Sequence, residues 1–176
     1  ATMTVGTLMA LVQQNMKRLL AYSSIAQVGF ILVSVVSLSQ SGANAVILHV
    51  VGYSFTNLAA FAVVILVETR TGKEELTDYA GLASRSPFLA MVMTAALFSL
   101  AGLPIFAGFV TKFLLFTAAV EADLLWLTVV AITNSVVSLY YYLKIVREMY
   151  VNEAATPGPL RISAWASAPV WLLFIG

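Results

Sequence analysis

The chain has 176 residues, of which 61% are apolar and 10% are charged, and its mean hydropathy is +0.95. A soluble domain is roughly 45–50% apolar and about 25% charged, so this composition excludes a water-soluble globule. The net charge of +1 argues against a nucleic-acid partner, and the lack of cysteine excludes disulfide frameworks, thiolate metal sites and cysteine-bound iron–sulfur clusters held by this chain.

Apolar runs of about the length that crosses a bilayer dominate the sequence. They predict helices at 3–16, 18–38, 43–67, 87–120, 124–150 and 162–176. Because short alternating segments typical of a β-barrel are not found, we predict an all-α, polytopic transmembrane helix bundle. The chain begins without a basic segment typical of a signal peptide and stops while still apolar, so we expect 1–176 to be one transmembrane domain within a longer membrane protein.

The first two segments are separated by a short polar sequence, Gln13-Gln14-Asn15. A single helix over 3–38 would run ~54 Å, which exceeds the ~30 Å hydrocarbon core. A turn at this sequence makes Lys17 and Arg18 interfacial anchors. The alternative, a continuous helix, places them near the middle of the membrane.

The third segment carries the only histidine of the chain, His49, with Tyr53 and Asn57 at i+4 and i+8. This spacing places the three side chains on one helix face, where they could hold water and relay a proton. The alternative is a polar face that forms hydrogen bonds with a neighbouring helix. The residues alone do not favour one over the other.

The fourth segment is too long for one span, since a helix over 87–120 would reach ~51 Å. Gly102 and Pro104 lie inside it, in Leu100-Ala101-Gly102-Leu103-Pro104. Proline removes a backbone donor and clashes with the preceding turn, while glycine relaxes the backbone. We therefore predict two half-helices joined by a non-helical stretch, the alternative being a proline kink that only shapes packing.

Lys112 follows this break and lies well inside its segment. An ammonium at that depth costs ~2.5–3.5 kcal/mol, and ionisable groups inside a membrane usually serve function. In the alternative, a short and tilted half-helix lets Lys112 extend its stem to the nearer surface. Together with unwound backbone, which is tolerated only beside protein or water, Lys112 indicates an ion path.

Positive charge is distributed unequally between the two ends of the predicted bundle. Threading the six spans places eight of the nine basic residues at one face, which the positive-inside rule makes cytoplasmic or its organellar equivalent. The eight are Lys17, Arg18, Arg70, Lys73, Arg85, Lys144, Arg147 and Arg161. The opposite loops, at 39–42 and 121–123, carry none, so Lys112 is the exception.

Three other groups of side chains receive structural interpretations. Tyr140-Tyr141-Tyr142 and Tyr150 suit an aromatic belt at the basic face. Polar residues of the fifth span, Asn134, Ser135 and Ser138, are expected to bond neighbouring helices. The acidic residues of the loop over 68–86 are expected to be solvated, namely Glu68, Glu74, Glu75 and Asp78.

Five stretches of the sequence form a distinctive set of motifs. The first runs from Asn15 to Gly29 and contains Lys17-Arg18-Leu19-Leu20-Ala21-Tyr22-Ser23-Ser24. The others are Asp78-Tyr79-Ala80-Gly81-Leu82, Ser99-Leu100-Ala101-Gly102-Leu103-Pro104, Gly108-Phe109 through Lys112-Phe113, and Tyr140-Tyr141-Tyr142-Leu143-Lys144. Together they resemble the antiporter-like membrane subunits of respiratory complex I and related sodium/proton antiporters, above all the subunit N family of NADH–quinone oxidoreductase. The resemblance covers Leu8 to about Tyr150, in the expected order.

This resemblance implies the C-terminal part of a subunit with about fourteen helices, which translocates protons through buried lysines and water. It implies that Lys112 faces the outlet half of a proton channel, and that Lys17 lies on a central hydrophilic axis instead of serving as an anchor. His49 matches a polar position of the family, whereas Tyr53 and Asn57 stand where larger subunits carry a histidine and a lysine. Water held by His49, Tyr53 and Asn57 would then replace a lysine-to-lysine relay.

The same resemblance implies a non-redox subunit of an oxidoreductase, assembled with other membrane subunits in a lipid bilayer, most simply a bacterial plasma membrane. Organellar inner and thylakoid membranes are the alternatives. We expect no cofactor on this chain, and NADH, FMN, iron–sulfur clusters and quinone elsewhere in the complex. Two other functions stay open, a cation/proton antiporter subunit of the Mrp type and a structural membrane spacer.

Overall fold

The computed structural model describes residues 1–153, and within them the chain folds into α-helices joined by short turns, which confirms the all-α prediction. The helices are Thr2–Leu11 (α1), Met16–Val35 (α2), Gln40–Thr71 (α3), Leu82–Arg85 (α4), Pro87–Ala101 (α5), Ala107–Glu121 (α6) and Leu125–Tyr150 (α7). Of these, α2, α3 and α7 are long and apolar enough to cross a membrane. The predicted helix at 162–176 and Arg161 lie outside the described residues.

Capping residues set the start of α2 and both ends of α3. The α1 helix ends at Leu11, earlier than predicted, and the side chain of Asn15 accepts a hydrogen bond from the backbone N–H of Arg18 at the start of α2 (3.1 Å). Ser39 caps α3 through the N–H of Gly42 (3.0 Å), and α3 ends at Gly72 in the left-handed conformation. The predicted turn between α1 and α2 is therefore confirmed, and caps carry α3 beyond the apolar run over 43–67 in both directions.

The loop after α3 returns to the α1–α2 turn and pairs with it through the main chain. The N–H of Met16 donates to the carbonyl of Glu74 (2.9 Å), and the N–H of Leu76 donates to the carbonyl of Gln14 (2.7 Å). Lys144, near the end of α7, reaches the side chain of Gln14 (3.4 Å). The basic loops and the end of α7 thus meet at one end of the bundle, which we call the basic end.

The other end joins the start of α3 to the end of α6. There the Ser41 hydroxyl donates to the carboxylate of Glu121 (3.2 Å). The contacts at the two ends agree with the predicted threading of the chain. They leave Lys112, in the middle of α6, apart from both ends.

The core is formed mainly by α2, α3, α5 and α7. Tyr141 and Tyr142 belong to it, and the Tyr142 hydroxyl forms a hydrogen bond with Ser23 of α2. The aromatic belt prediction is wrong for these two residues, because they face the bundle, whereas Tyr140 and Tyr150 are exposed. The run of three tyrosines therefore divides between core and surface as the helix turns.

Candidate functional site

The predicted break in the long apolar segment is present and has a defined geometry. The α5 helix ends at Ala101, and Gly102 follows in the left-handed region at φ 84°, which favours glycine. The N–H of Gly102 bonds to the carbonyls of Phe98 and Ser99 (3.1 and 3.0 Å). The next two carbonyls, of Leu100 and Ala101, are left for side chains to bond.

Lys112 supplies that bond from the following half-helix. Its Nζ donates to the carbonyl of Leu100 (2.7 Å) and lies 3.3 Å from the carbonyl of Ala101. It also lies 4.8 Å from the centroid of the Phe30 ring, within reach of a cation–π interaction. The negative end of the α5 dipole favours a cation at this place. The residue is 4% exposed, so the alternative in which Lys112 reaches the surface is wrong.

Ser135 of α7 completes the bonding of this lysine. Its hydroxyl accepts a hydrogen bond from Lys112 Nζ (3.2 Å) and donates to the carbonyl of Ala101 (3.3 Å). Ser135 thus bonds neighbouring helices as expected, and so does Asn134, which donates to Thr4 of α1 (3.3 Å). The hydroxyl of Ser138 instead donates to the Ser135 carbonyl within α7, so the expectation is wrong for this residue.

Gln27 of α2 is a part of the site that the sequence analysis missed. It is 1% exposed, and its Nε2 donates to the carbonyl of Leu100 (3.1 Å), the same oxygen that accepts from Lys112. An amide inside an apolar helix was the available signal, because a buried polar side chain requires a partner.

His49 faces the same region from α3. Its Nδ1 lies 2.9 Å from the hydroxyl of Thr111, its ring stacks on Tyr53 with centroids 6.3 Å apart, and the residue is 2% exposed. A cavity of about 10 Å³ is lined by His49, Tyr53, Thr111 and Lys112, among others. This volume is near the lower limit for one water molecule. Asn57 is half-buried and does not line the cavity. Of the three residues expected to hold water together, only His49 and Tyr53 therefore reach it.

Lys17 lies elsewhere, at the basic end. Its Nζ pairs with Glu68 (2.7 Å) and with Glu74 (3.0 Å), and its side chain is 38% exposed. These carboxylates are not simply solvated as expected, since they hold Lys17 between the end of α3 and the following loop. The structure brings Lys112 and His49 together but does not bring Lys17 to them, and its relay role stays a prediction.

The carboxylate of Glu74 makes the basic end sensitive to acid. Hydrogen bonds from Asn15 and Lys17 lower the pKa of Glu74 to about 2. A glutamate in an unfolded chain titrates at about 4.3, so the stabilisation is complete above that pH and is lost as the pH falls towards 2. We therefore expect the main-chain hydrogen bonds from Met16 to Glu74 and from Leu76 to Gln14 to persist from pH 7 to pH 5.

Hydrogen–deuterium exchange of the peptides around these two amides, in the assembled protein, measures this pairing. Glu74→Gln removes the charge and is expected to speed their exchange at pH 7. The matched control is Glu121→Gln at the opposite end, which removes one charge without touching the pair. Equal exchange in wild type and Glu74→Gln would show that main-chain pairing alone closes the loop.

Comparisons with known proteins agree on one group of membrane proteins. The family described as NADH:quinone oxidoreductase/Mrp antiporter, TM, matches residues 1–138. NADH-quinone oxidoreductase subunit N of Trichlorobacter lovleyi is 47% identical over 151 residues, which are 85% of this chain and 31% of that protein.

Two solved structures share the fold. A chain of respiratory complex I from Thermus thermophilus with bound aureothin has a TM-score of 0.81 and 32% identity, over 99% of this chain and 39% of that chain. A chain of the Mrp complex from Dietzia sp. DQ12-45-1b has a TM-score of 0.84 and 32% identity, over 91% of this chain and 30% of that one. The chain thus spans about a third of the length of these proteins.

Proposed function

The chain belongs to the NADH:quinone oxidoreductase/Mrp antiporter family of membrane proteins, and we propose that it acts as part of the proton-translocating membrane subunit N of NADH–quinone oxidoreductase. The match confirms the resemblance drawn from the motifs around Lys17 and Lys112. The observation that carries the proposal is the buried Lys112, bonded to the broken end of α5 beside a polar cavity.

In this proposal Lys112 takes up and releases a proton. Its ammonium is held by the carbonyls of Leu100 and Ala101 and by Ser135, and none of these three acceptors is a carboxylate that would fix the charge permanently. When Lys112 gives up its proton, Gln27 and Ser135 continue to donate to the same two carbonyls. The break therefore keeps hydrogen bonds in both charge states, as backbone at membrane depth requires.

His49 is the proposed partner of Lys112, since both line the small cavity and one water there would join them. Tyr53 supports the His49 ring by stacking. Lys17 enters the proposal as a charged group at the basic end, where it pairs with Glu68 and Glu74. Protons would be taken up from the face that carries most of the positive charge and leave past Lys112.

The rest of the complex completes the proposal. Other membrane subunits of complex I would flank the chain in the bilayer, with a bacterial plasma membrane as the proposed location. NADH oxidation and quinone reduction, with FMN and iron–sulfur clusters, would take place on other subunits. Their redox reactions would change the electrostatic field along the chain of buried polar groups.

The proposal predicts coupling between NADH oxidation and proton movement in the intact complex. Purified complex containing the full-length subunit, reconstituted in sealed vesicles, is expected to acidify the lumen when NADH and a quinone are supplied. An uncoupler is expected to collapse the gradient while NADH oxidation continues. Acidification that requires a sodium gradient and does not depend on NADH would contradict the assignment to NADH–quinone oxidoreductase.

Acidification driven by a sodium gradient would instead support a cation/proton antiporter. The likeness to the Mrp complex makes this the alternative function. A purely structural spacer predicts dry packing around the two titratable side chains. The polar cavity between His49 and Lys112 argues against the spacer.

A further inference from the structure

Thr111 immediately precedes Lys112 on α6 and is 4% exposed. Its hydroxyl contacts two groups, the Nδ1 of His49 (2.9 Å) and the carbonyl of Gly108 (3.2 Å). We propose that Thr111 is a positioning residue that fixes the tautomer of His49, so that the Nε2 atom of the histidine is the proton acceptor facing Lys112. This inference rests on the proposed function and adds a residue to it.

The single proton of the Thr111 hydroxyl sets the direction of its two hydrogen bonds. A threonine hydroxyl has one proton to donate and can accept from other donors. The bond to the Gly108 carbonyl uses that proton, because a carbonyl can only accept. Toward His49 the hydroxyl then acts as the acceptor, and the proposal accordingly assigns the hydrogen of the neutral ring to Nδ1. In a neutral imidazole with hydrogen on Nδ1, the Nε2 atom has a free lone pair.

The position of Nε2 agrees with this assignment. Nε2 is buried and has no hydrogen-bond partner among the described residues. The His49 side chain lines the cavity of about 10 Å³ that also contacts Lys112, Thr111 and Gln27. A buried acceptor beside a polar space of this size suits one bound water. Such a water would accept from Lys112 and donate to Nε2.

The proton transfer that follows is balanced. A proton that arrives from the basic end is taken up by Nε2, which makes His49 an imidazolium. The Nε2–H bond then breaks as the water takes that proton, and the water passes another of its protons to the neutral amine of Lys112. His49 returns to the neutral imidazole and Lys112 becomes an ammonium. Nδ1–H remains bonded to Thr111 throughout, so the hydroxyl keeps the same role in both states. With the opposite tautomer, Nε2 would carry hydrogen and could not accept.

The experiment compares Thr111→Val with Thr111→Ser in the intact complex. Valine keeps the branched shape of threonine but has no hydroxyl, whereas serine keeps the hydroxyl. We expect Thr111→Val to slow NADH-driven proton translocation by about tenfold or more, the size of effect seen when a metal-bound histidine loses its orienting partner. We expect Thr111→Ser to translocate protons at about the wild-type rate, and both variants to assemble in normal amounts.

Histidine variants separate the two proposals. His49→Gln preserves an oxygen or amide near the Nε2 position, and His49→Ala removes the side chain. If His49→Ala and Thr111→Val both slow translocation and Thr111→Ser does not, the inference stands. If His49→Ala slows translocation but Thr111→Val does not, the positioning role is wrong and the proposed function survives. If His49→Ala has no effect, His49 does not carry protons and the inference fails with that part of the proposed function.

A double variant gives an independent test. If Thr111→Val slows translocation further in a chain that already carries His49→Gln, the positioning role is wrong, since the hydroxyl would then act on something other than the imidazole.

Discussion

Replacing Lys112 with methionine is expected to abolish proton transfer through this site while leaving the subunit assembled. Methionine has a similar length and fills the apolar part of the space, but it cannot donate to the Leu100 and Ala101 carbonyls or carry a proton. Loss of a positioned proton-transfer group typically slows a reaction by ~10²–10⁴-fold. The measurement is the number of protons translocated per NADH oxidised in vesicles, together with the amount of assembled complex.

Two further variants sharpen this prediction. Lys112→Arg keeps a positive charge but cannot release it, because a guanidinium stays protonated in proteins, so it is expected to fail as well. Lys144→Met is the matched control, since Lys144 is near the basic end and bonds only weakly to Gln14 (3.4 Å). An unchanged proton-to-electron ratio in Lys112→Met at full assembly would remove Lys112 from the mechanism.

Gly108→Ala is expected to prevent normal packing of the two half-helices and to reduce assembly sharply. A Cβ at this position would overlap the carbonyl oxygen of Ser99, which belongs to the backbone of α5 and cannot move aside as a flexible side chain could. Overpacking a core usually costs ~1–3 kcal/mol, and a clash with backbone belongs at or above the top of that range. The same shift would pull Thr111 and Lys112 away from their partners.

The matched control for this change is Gly52→Ala on α3. There a Cβ would meet its nearest neighbour, Thr111 Cγ2, at 3.7 Å, which is ordinary van der Waals contact. The amount of subunit in purified membranes and the thermal inactivation temperature of the complex measure both variants. Normal levels of both proteins would mean that α5 and α6 do not approach as closely as the structure places them.

The parts of the site that depend on local sequence were predictable. Proline and glycine in the middle of an apolar segment that is too long for one span located the break at Gly102 and Pro104. The absence of other charges around Lys112 singled it out. Both inferences rest on chain length and backbone chemistry, which act within one helix.

The partners of these residues were not predictable, because they come from distant parts of the chain. Lys17 meets Glu68 and Glu74 only because the loop after α3 returns to the α1–α2 turn. Ser135 was expected to bond a neighbouring helix, but the identity of its partner, Lys112, depends on how α7 is rotated against the break. Sequence periodicity defines the faces of a helix but not which neighbour each face meets.

The helix break also leaves the link between the two half-helices to side chains. The helical backbone stops at Ala101 and begins again at Ala107. Lys112 of α6 bridges this gap, because its Nζ donates to the carbonyl of Leu100 and lies 3.3 Å from that of Ala101, at the end of α5. At the basic end, by contrast, the loop after α3 is joined to the α1–α2 turn by two main-chain hydrogen bonds. The relative position of α5 and α6 therefore depends on side chains, whereas the α1–α2 turn is held by backbone bonds that no side-chain substitution other than proline removes.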